Sequence, residues 1–141
     1  MKCAGELIAI SLKVEEEKRL ERERRAAEEL RILEERTINW CEEIGEVLEK
    51  QAMDGQPLKY NVLLAKYSNT IFRTVKEVSS RYCDCREDYE INWDKLHLPT
   101  IIKFFEEYCF ETVLEDFVIY SYGRGPLNAC KITIKPAPQC F

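Results

Sequence analysis

Three groups of side chains have the residue types and spacing that chemistry requires. The tightest is Cys83-Asp84-Cys85, which together with His97 and Cys109 offers four soft ligands of the kind that hold zinc. Its spacing, C-x-C-x11-H-x11-C, fits no common zinc module, and helical periodicity puts Cys109 on the apolar face of a short helix. These cysteines therefore read as ordinary thiols, and no metal site is assigned.

The second candidate is His97, the one histidine of the chain. Any Cys–His or Ser–His nucleophile pair would have to use it, yet no nucleophile elbow accompanies it. A single histidine beside a helix start is expected at the surface or as a cap. The carboxylates lie almost entirely in charge-alternating helical runs, with no isolated pair suited to acid–base work. No catalytic residue is assigned, and the chain reads as non-enzymatic with no cofactor.

The third group is the turn Gly123-Arg124-Gly125. Two glycines around an arginine let backbone N–H groups and a guanidinium approach one anion closely. It is no nucleotide-triphosphate loop, because the lysine and the following helix are missing. Arg73, Arg81, Tyr82 and Arg86 add guanidinium groups and a ring from the preceding strand and loop. Arginines beside aromatics suit a nucleotide-like ligand, the phosphate held by guanidinium and the base stacked on a ring.

The chain of 141 residues supports one compact domain and an extension. Between Glu6 and Ala52 there is no proline, and the one internal glycine is Gly45. Residues 13–36 carry nine acidic and eight basic side chains, with Glu15–Arg19, Glu21–Arg25 and Arg31–Glu35 at i,i+4. Leu7, Ile10 and Val14 form one apolar stripe, continued sparsely by Leu20 and Ala27. Leu30, Leu33, Thr37, Trp40 or Cys41, Ile44, and Val47 or Leu48 then recur at three/four spacing, the rhythm of a helix–helix seam.

A helix of this extent would be ~65 Å long at 1.5 Å per residue, more than a domain of this size covers. Self-association is therefore expected, anchored mainly between Leu30 and Leu48. Asp54-Gly55-Gln56-Pro57 should end the helix.

Beyond it, 58–67 and 70–78 read as strands, although a helix within 58–78 stays open. Residues 79–88 read as a loop, and 89–94 as a short strand or extended edge. The best-defined short helix is 98–110, with Pro99 in its first turn. Residues 117–122 are apolar on both faces, as in a central strand, 123–128 make a turn, and 129–136 alternate as the closing strand. The expected fold is α+β: residues 1–54 a long charged oligomerisation helix, residues 55–141 a small antiparallel sheet with one packed helix.

Composition narrows the partners. The net charge of −5 argues against non-specific nucleic-acid binding. No apolar run approaches the ~18 residues of a membrane span. The apolar stretch 7–14 is followed by Glu15–Glu17 where a signal peptide would need a cleavage site. The expected location is the cytoplasm, where the seven cysteines would stay reduced.

The Glu/Arg-rich helix, a compact α+β domain of this length, and the closing segment FVIYSYGRGPLNACKITIKP together resemble the phage anti-Thoeris sponge family, which sequesters cyclic ADP-ribose signals. The likeness is architectural and spans most of the chain. It implies a homo-oligomer built through the N-terminal helices, with interface pockets that hold a cyclised ADP-ribose isomer without cleaving it. Some members bind cyclic oligonucleotides at a separate site. On that reading Arg124 would hold a phosphate and Tyr82 would stack a base. Arg25, Arg81 and Asn92 would supply remaining polar contacts. The competing expectation is a phage inhibitor that contacts a host defence or CRISPR effector protein directly through acidic surfaces.

Overall fold

The computed structural model describes residues 1–79, 87–121 and 125–138. Helix α1 runs from Ala4 to Met53, as the absence of proline allows. It stops where the glycine predicts. Gly55 takes the left-handed conformation (φ 68°). The Gln56 N–H then reaches the Gln51 carbonyl at 2.8 Å, and the Gly55 N–H reaches that of Ala52 at 3.2 Å. Those two bonds satisfy carbonyls that the helix end would otherwise leave without partners.

By contacts the chain divides into two units, Met1–Ile32 and Leu33–Phe141. The first is a helical segment with most of its side chains in solvent. Its charges pair along the helix: Arg19 with Glu16 and with Glu23 (2.6 Å), Glu21 with Arg24 (2.7 Å) and Arg25 (3.2 Å), and Arg31 with Glu28 (2.6 Å). The guanidinium hydrogen bonds hold the Glu16, Glu21 and Glu28 carboxyls below the ordinary carboxylate range. Such exposed pairs contribute little individually.

In the second unit, five strands follow the helix: β1 (Tyr60–Lys66), β2 (Ile71–Ser79), β3 (Glu87–His97), β4 (Phe110–Ser121) and β5 (Gly125–Pro136). Helix α2 (Leu98–Glu107) lies between β3 and β4. The α+β expectation is met, with residues 58–78 resolved into two strands. The strands close into a barrel in chain order, β5 returning to β1. Four pairings are antiparallel, and β3 meets β4 in parallel at Tyr89↔Ser121.

The strands alternate between two apolar clusters. Leu64, Phe72, Leu96, Cys130, Ile132 and Ile134 face the helices and pack with Cys41, Ile44 and Leu48 of α1 and Ile101 and Phe105 of α2. Ala65, Ile119 and Ala129 form a smaller cluster on the other strand face, flanked by Leu63, Val75, Tyr89, Ile91 and Leu127.

This packing corrects the use assigned to the α1 stripe. Thr37, Cys41, Ile44 and Leu48 are all buried within their own unit. Fully burying an Ile or Leu contributes roughly 1.5–3 kcal/mol, so the stripe serves to fasten α1 to the barrel. The anchoring of self-association between Leu30 and Leu48 is thereby withdrawn, since most of that stripe already has a partner in the same chain.

Thr37 is the polar member of the stripe. Its hydroxyl donates to the Leu33 carbonyl (2.7 Å) and accepts the His97 backbone N–H (2.9 Å), tying α1 to the start of α2.

Four further boundaries differ from the expected ones. Strand β3 spans Glu87–His97 rather than 89–94, since it pairs with β2 over that whole length, and β5 begins at Gly125, inside the expected turn 123–128, because it is already paired with β4 there. Helix α2 ends at Glu107 rather than at 110, because Cys109 turns into the left-handed region (φ 63°) and β4 begins at Phe110. Cys109 is consequently exposed rather than on an apolar helix face. The Ala137 N–H hydrogen-bonds its carbonyl at 2.9 Å, helping to hold a backbone conformation that L residues seldom adopt. Strand β4 also starts seven residues earlier than the apolar run 117–122, since it is paired with β5 all the way from Phe110↔Pro136.

Candidate functional site

The site is built where β1 turns into β2 and β2 pairs with β3. The Ser68 hydroxyl fixes the first of these turns by accepting the Ile71 N–H at 3.1 Å, while the Tyr67 N–H bonds the Ile71 carbonyl at 3.0 Å. Tyr67 is thus held at the end of β1 with its side chain half exposed. Across the sheet Arg73 lies opposite Ala65 on one side and Lys95 on the other.

Beyond that rung the register slips. Arg73 pairs with Lys95 but Val75 pairs with Ile91, so β2 advances by two residues while β3 advances by four. The extra length bulges at Asn92–Asp94, as bulges commonly do where a strand must re-aim a side chain. Asn92 Nδ2 donates to Thr74 Oγ1 at 3.1 Å, bracing the bulge. Trp93, on the bulge, is 79% exposed.

These elements bring two cations and two rings together. The Arg73 guanidinium carbon is 4.5 Å from the centre of the Tyr67 ring and 5.4 Å from that of Trp93. Lys95 Nζ is 4.1 Å from the Tyr67 ring centre. Both charges address one ring and so lie within about 9 Å of each other, roughly a Debye length at physiological salt. Among the described residues neither has a carboxylate at ion-pair distance. Arg73 Nε is buried and has no hydrogen-bond partner there. An unsatisfied buried donor costs roughly 1–3 kcal/mol, which an arriving acceptor would recover.

Such a cluster suits an anion that carries a flat ring system. Guanidinium and ammonium groups hold phosphate oxygens, and an exposed indole or phenol gives a base a surface to stack on.

Of the residues read from the sequence as site members, Asn92 lies on the bulge next to Trp93. Arg25 belongs to the Met1–Ile32 unit, where it bonds Glu21 at 3.2 Å. Arg81, Tyr82 and Arg124 lie outside the described residues, as do Cys83, Cys85 and Arg86. Arg73, noted in the sequence only as nearby chemistry, is central to the cluster. Tyr67, Trp93 and Lys95 were not anticipated. Trp93 and Lys95 at i,i+2 on a strand were the available sign, but only the register shows that they meet Arg73.

His97 opens α2. Its ring Nδ1 is 2.8 Å from the Thr100 hydroxyl, and among the described residues no carboxylate hydrogen-bonds the ring. It lines a hollow of about 330 Å³ with Glu34, Thr100, Lys103 and Glu107. The described residues hold no His, Cys, Asp and Glu group suited to a metal ion. No described helix is long and apolar enough to cross a membrane.

No family model, no curated protein and no solved structure matches this chain.

Proposed function

We propose that the protein is a non-enzymatic binding protein that captures and holds a cyclic nucleotide immune signal, of the cyclic ADP-ribose type, as an anti-defence sponge. The observation that carries this reading is the Tyr67–Arg73–Trp93–Lys95 cluster: cations without carboxylate partners among the described residues, one unsatisfied buried N–H, and an indole left in solvent. Cyclic ADP-ribose isomers present the matching chemistry, a pyrophosphate joined to an adenine ring. The architectural resemblance supports the same ligand class.

The test is to incubate the purified protein with cyclic ADP-ribose isomers and cyclic oligonucleotides, measure the free ligand, then heat-denature and analyse what is released. A sponge depletes the free ligand and returns it intact. An altered product would make the protein an enzyme. No depletion with any of these ligands would overturn the nucleotide reading in favour of direct contact with a protein partner. Arg73→Ala and Trp93→Ala should each weaken capture by at least about tenfold, in line with the loss of a charge-assisted bond or a stacking surface.

A further inference from the structure

A second concave surface lies on the helical side of the barrel, clear of the cation–aromatic cluster. It is a groove of about 550 Å³ between the C-terminal part of α1 and helix α2, floored by Leu48, Leu58, Phe104, Phe105 and Phe110. Tyr108, 63% exposed, stands at one side, its ring 5.2 Å from that of Phe104. Glu42, Glu46 and Glu49 edge the other side from successive turns of α1. Between them Gly45 leaves the wall open, with nothing within 4 Å of where a Cβ would stand. An apolar trough edged with carboxylates suits an apolar helix that carries positive charge, the groove mode read as anchors at i and i+4.

The chain contains such a helix. Leu7, Ile8, Ile10, Leu12 and Val14 are 41–60% exposed, with Ile8 and Leu12, at i and i+4, the most open at 60% each. Glu6 and Lys13, seven apart, share a narrow polar strip, so most of the circumference of this segment is apolar. With Lys2 and Lys13 against Glu6, its side chains carry a net positive charge opposite in sign to the groove edge.

We infer that this segment of one copy docks in the groove of a second copy, making a head-to-tail contact between protomers. Ile8 and Leu12 enter beside Gly45, and Lys2 and Lys13 face the Glu42, Glu46 and Glu49 edge. The contact is heterologous: each copy offers a different surface at its two ends, so successive copies close into a ring or extend into a filament. It does not depend on the ligand reading, and its failure would leave that reading untouched.

The test follows the mass of the full-length protein by light scattering across a concentration series. The wild type should show mass rising with concentration. Leu12→Asp, at an exposed position, and Gly45→Leu, whose Cβ would meet nothing within 4 Å, should each weaken association by at least about tenfold. Glu42→Lys/Glu46→Lys/Glu49→Lys should remain dispersed alone, and so should Lys2→Glu/Lys13→Glu. Mixed, the two variants should associate again, because each groove now meets a segment of opposite sign. A wild type that is monomeric throughout would overturn the proposal. So would association that survives both groove variants, which would place the contact between N-terminal helices or on the strand face.

Discussion

Removing the hydroxyl at Thr37 tests how α1 is fastened to the barrel. The residue is fully buried, and its oxygen accepts the His97 N–H at 2.9 Å while donating to Leu33 at 2.7 Å. Thr37→Val keeps the shape and deletes the acceptor. The Leu33 carbonyl retains the chance of its helical bond, but the His97 N–H is left facing a methyl group. An orphaned donor of this kind costs roughly 1–3 kcal/mol, so about 2 kcal/mol is expected. With a urea slope of about 1.5 kcal/mol/M for a small domain, the midpoint should fall by about 1.3 M. Thr37→Ser keeps both hydrogen bonds and loses one methyl, about 0.8 kcal/mol or about 0.5 M by the same slope. Tryptophan fluorescence reads the transition, since Trp40 packs against the core of this unit. The His97 amide should also exchange with solvent about 30-fold faster in the valine variant, the equivalent of about 2 kcal/mol. Valine proving as stable as serine would refute the bond as the fastening and leave methyl packing as the cause.

Four other outcomes follow from the geometry. Gly55→Ala should cost about 1 kcal/mol by denaturation, because φ of 68° is a conformation that L residues seldom adopt, while no neighbouring atom crowds the site. Brief alkylation of the native protein should label Cys3 and Cys109, which are exposed, and spare Cys41, whose thiol burial pushes up to about 12; mass spectrometry of the digest decides. Arg73→Met should abolish capture of an anionic ligand yet raise ligand-free stability by up to about 1 kcal/mol, since it removes an unsatisfied buried N–H; a destabilised variant in thermal melts would contradict this. Arginine hydrogen bonds lower the Glu16, Glu21 and Glu28 carboxyls, so their support for α1 is complete above the ordinary carboxylate range and is lost as pH falls through the lowered values; because each exposed pair contributes little, circular dichroism should show only a small loss of helix there, and a cooperative collapse of α1 would contradict it.

The sequence made the elements legible wherever a local rule governs them. Gly55 and Pro57 announced the end of α1, Pro99 the start of α2, and alternation the closing strand. Local rules do not say which surface an apolar stripe meets. Cys41, Ile44 and Leu48 have the same three/four spacing whether the partner is a second helix or a sheet in the same chain, and here it is the sheet. The end of α2 was hidden for a similar reason. Cys109 is no glycine, and its left-handed turn is supported by a bond from Ala137, 28 residues away. The cation–aromatic cluster depends on the β2–β3 register and its bulge, which place Lys95 beside Arg73 and lift Trp93 into solvent. Neither can be read from one strand alone. Arg73 was visible as a basic residue on a strand, while its neighbours were not.

The strand count has a consequence of its own. In a closed ring where neighbours alternate direction, an odd number of strands must leave one adjacent pair running the same way. With five strands that pair is β3 and β4. A hairpin cannot join strands of like direction, so a crossover of about a dozen residues must intervene. The connection between β3 and β4 carries helix α2, and Phe104, Phe105 and Tyr108 come with it. The wall of the acidic groove is thus part of the crossover that the odd strand count requires, and the same crossover carries Ile101 and Phe105 into the core.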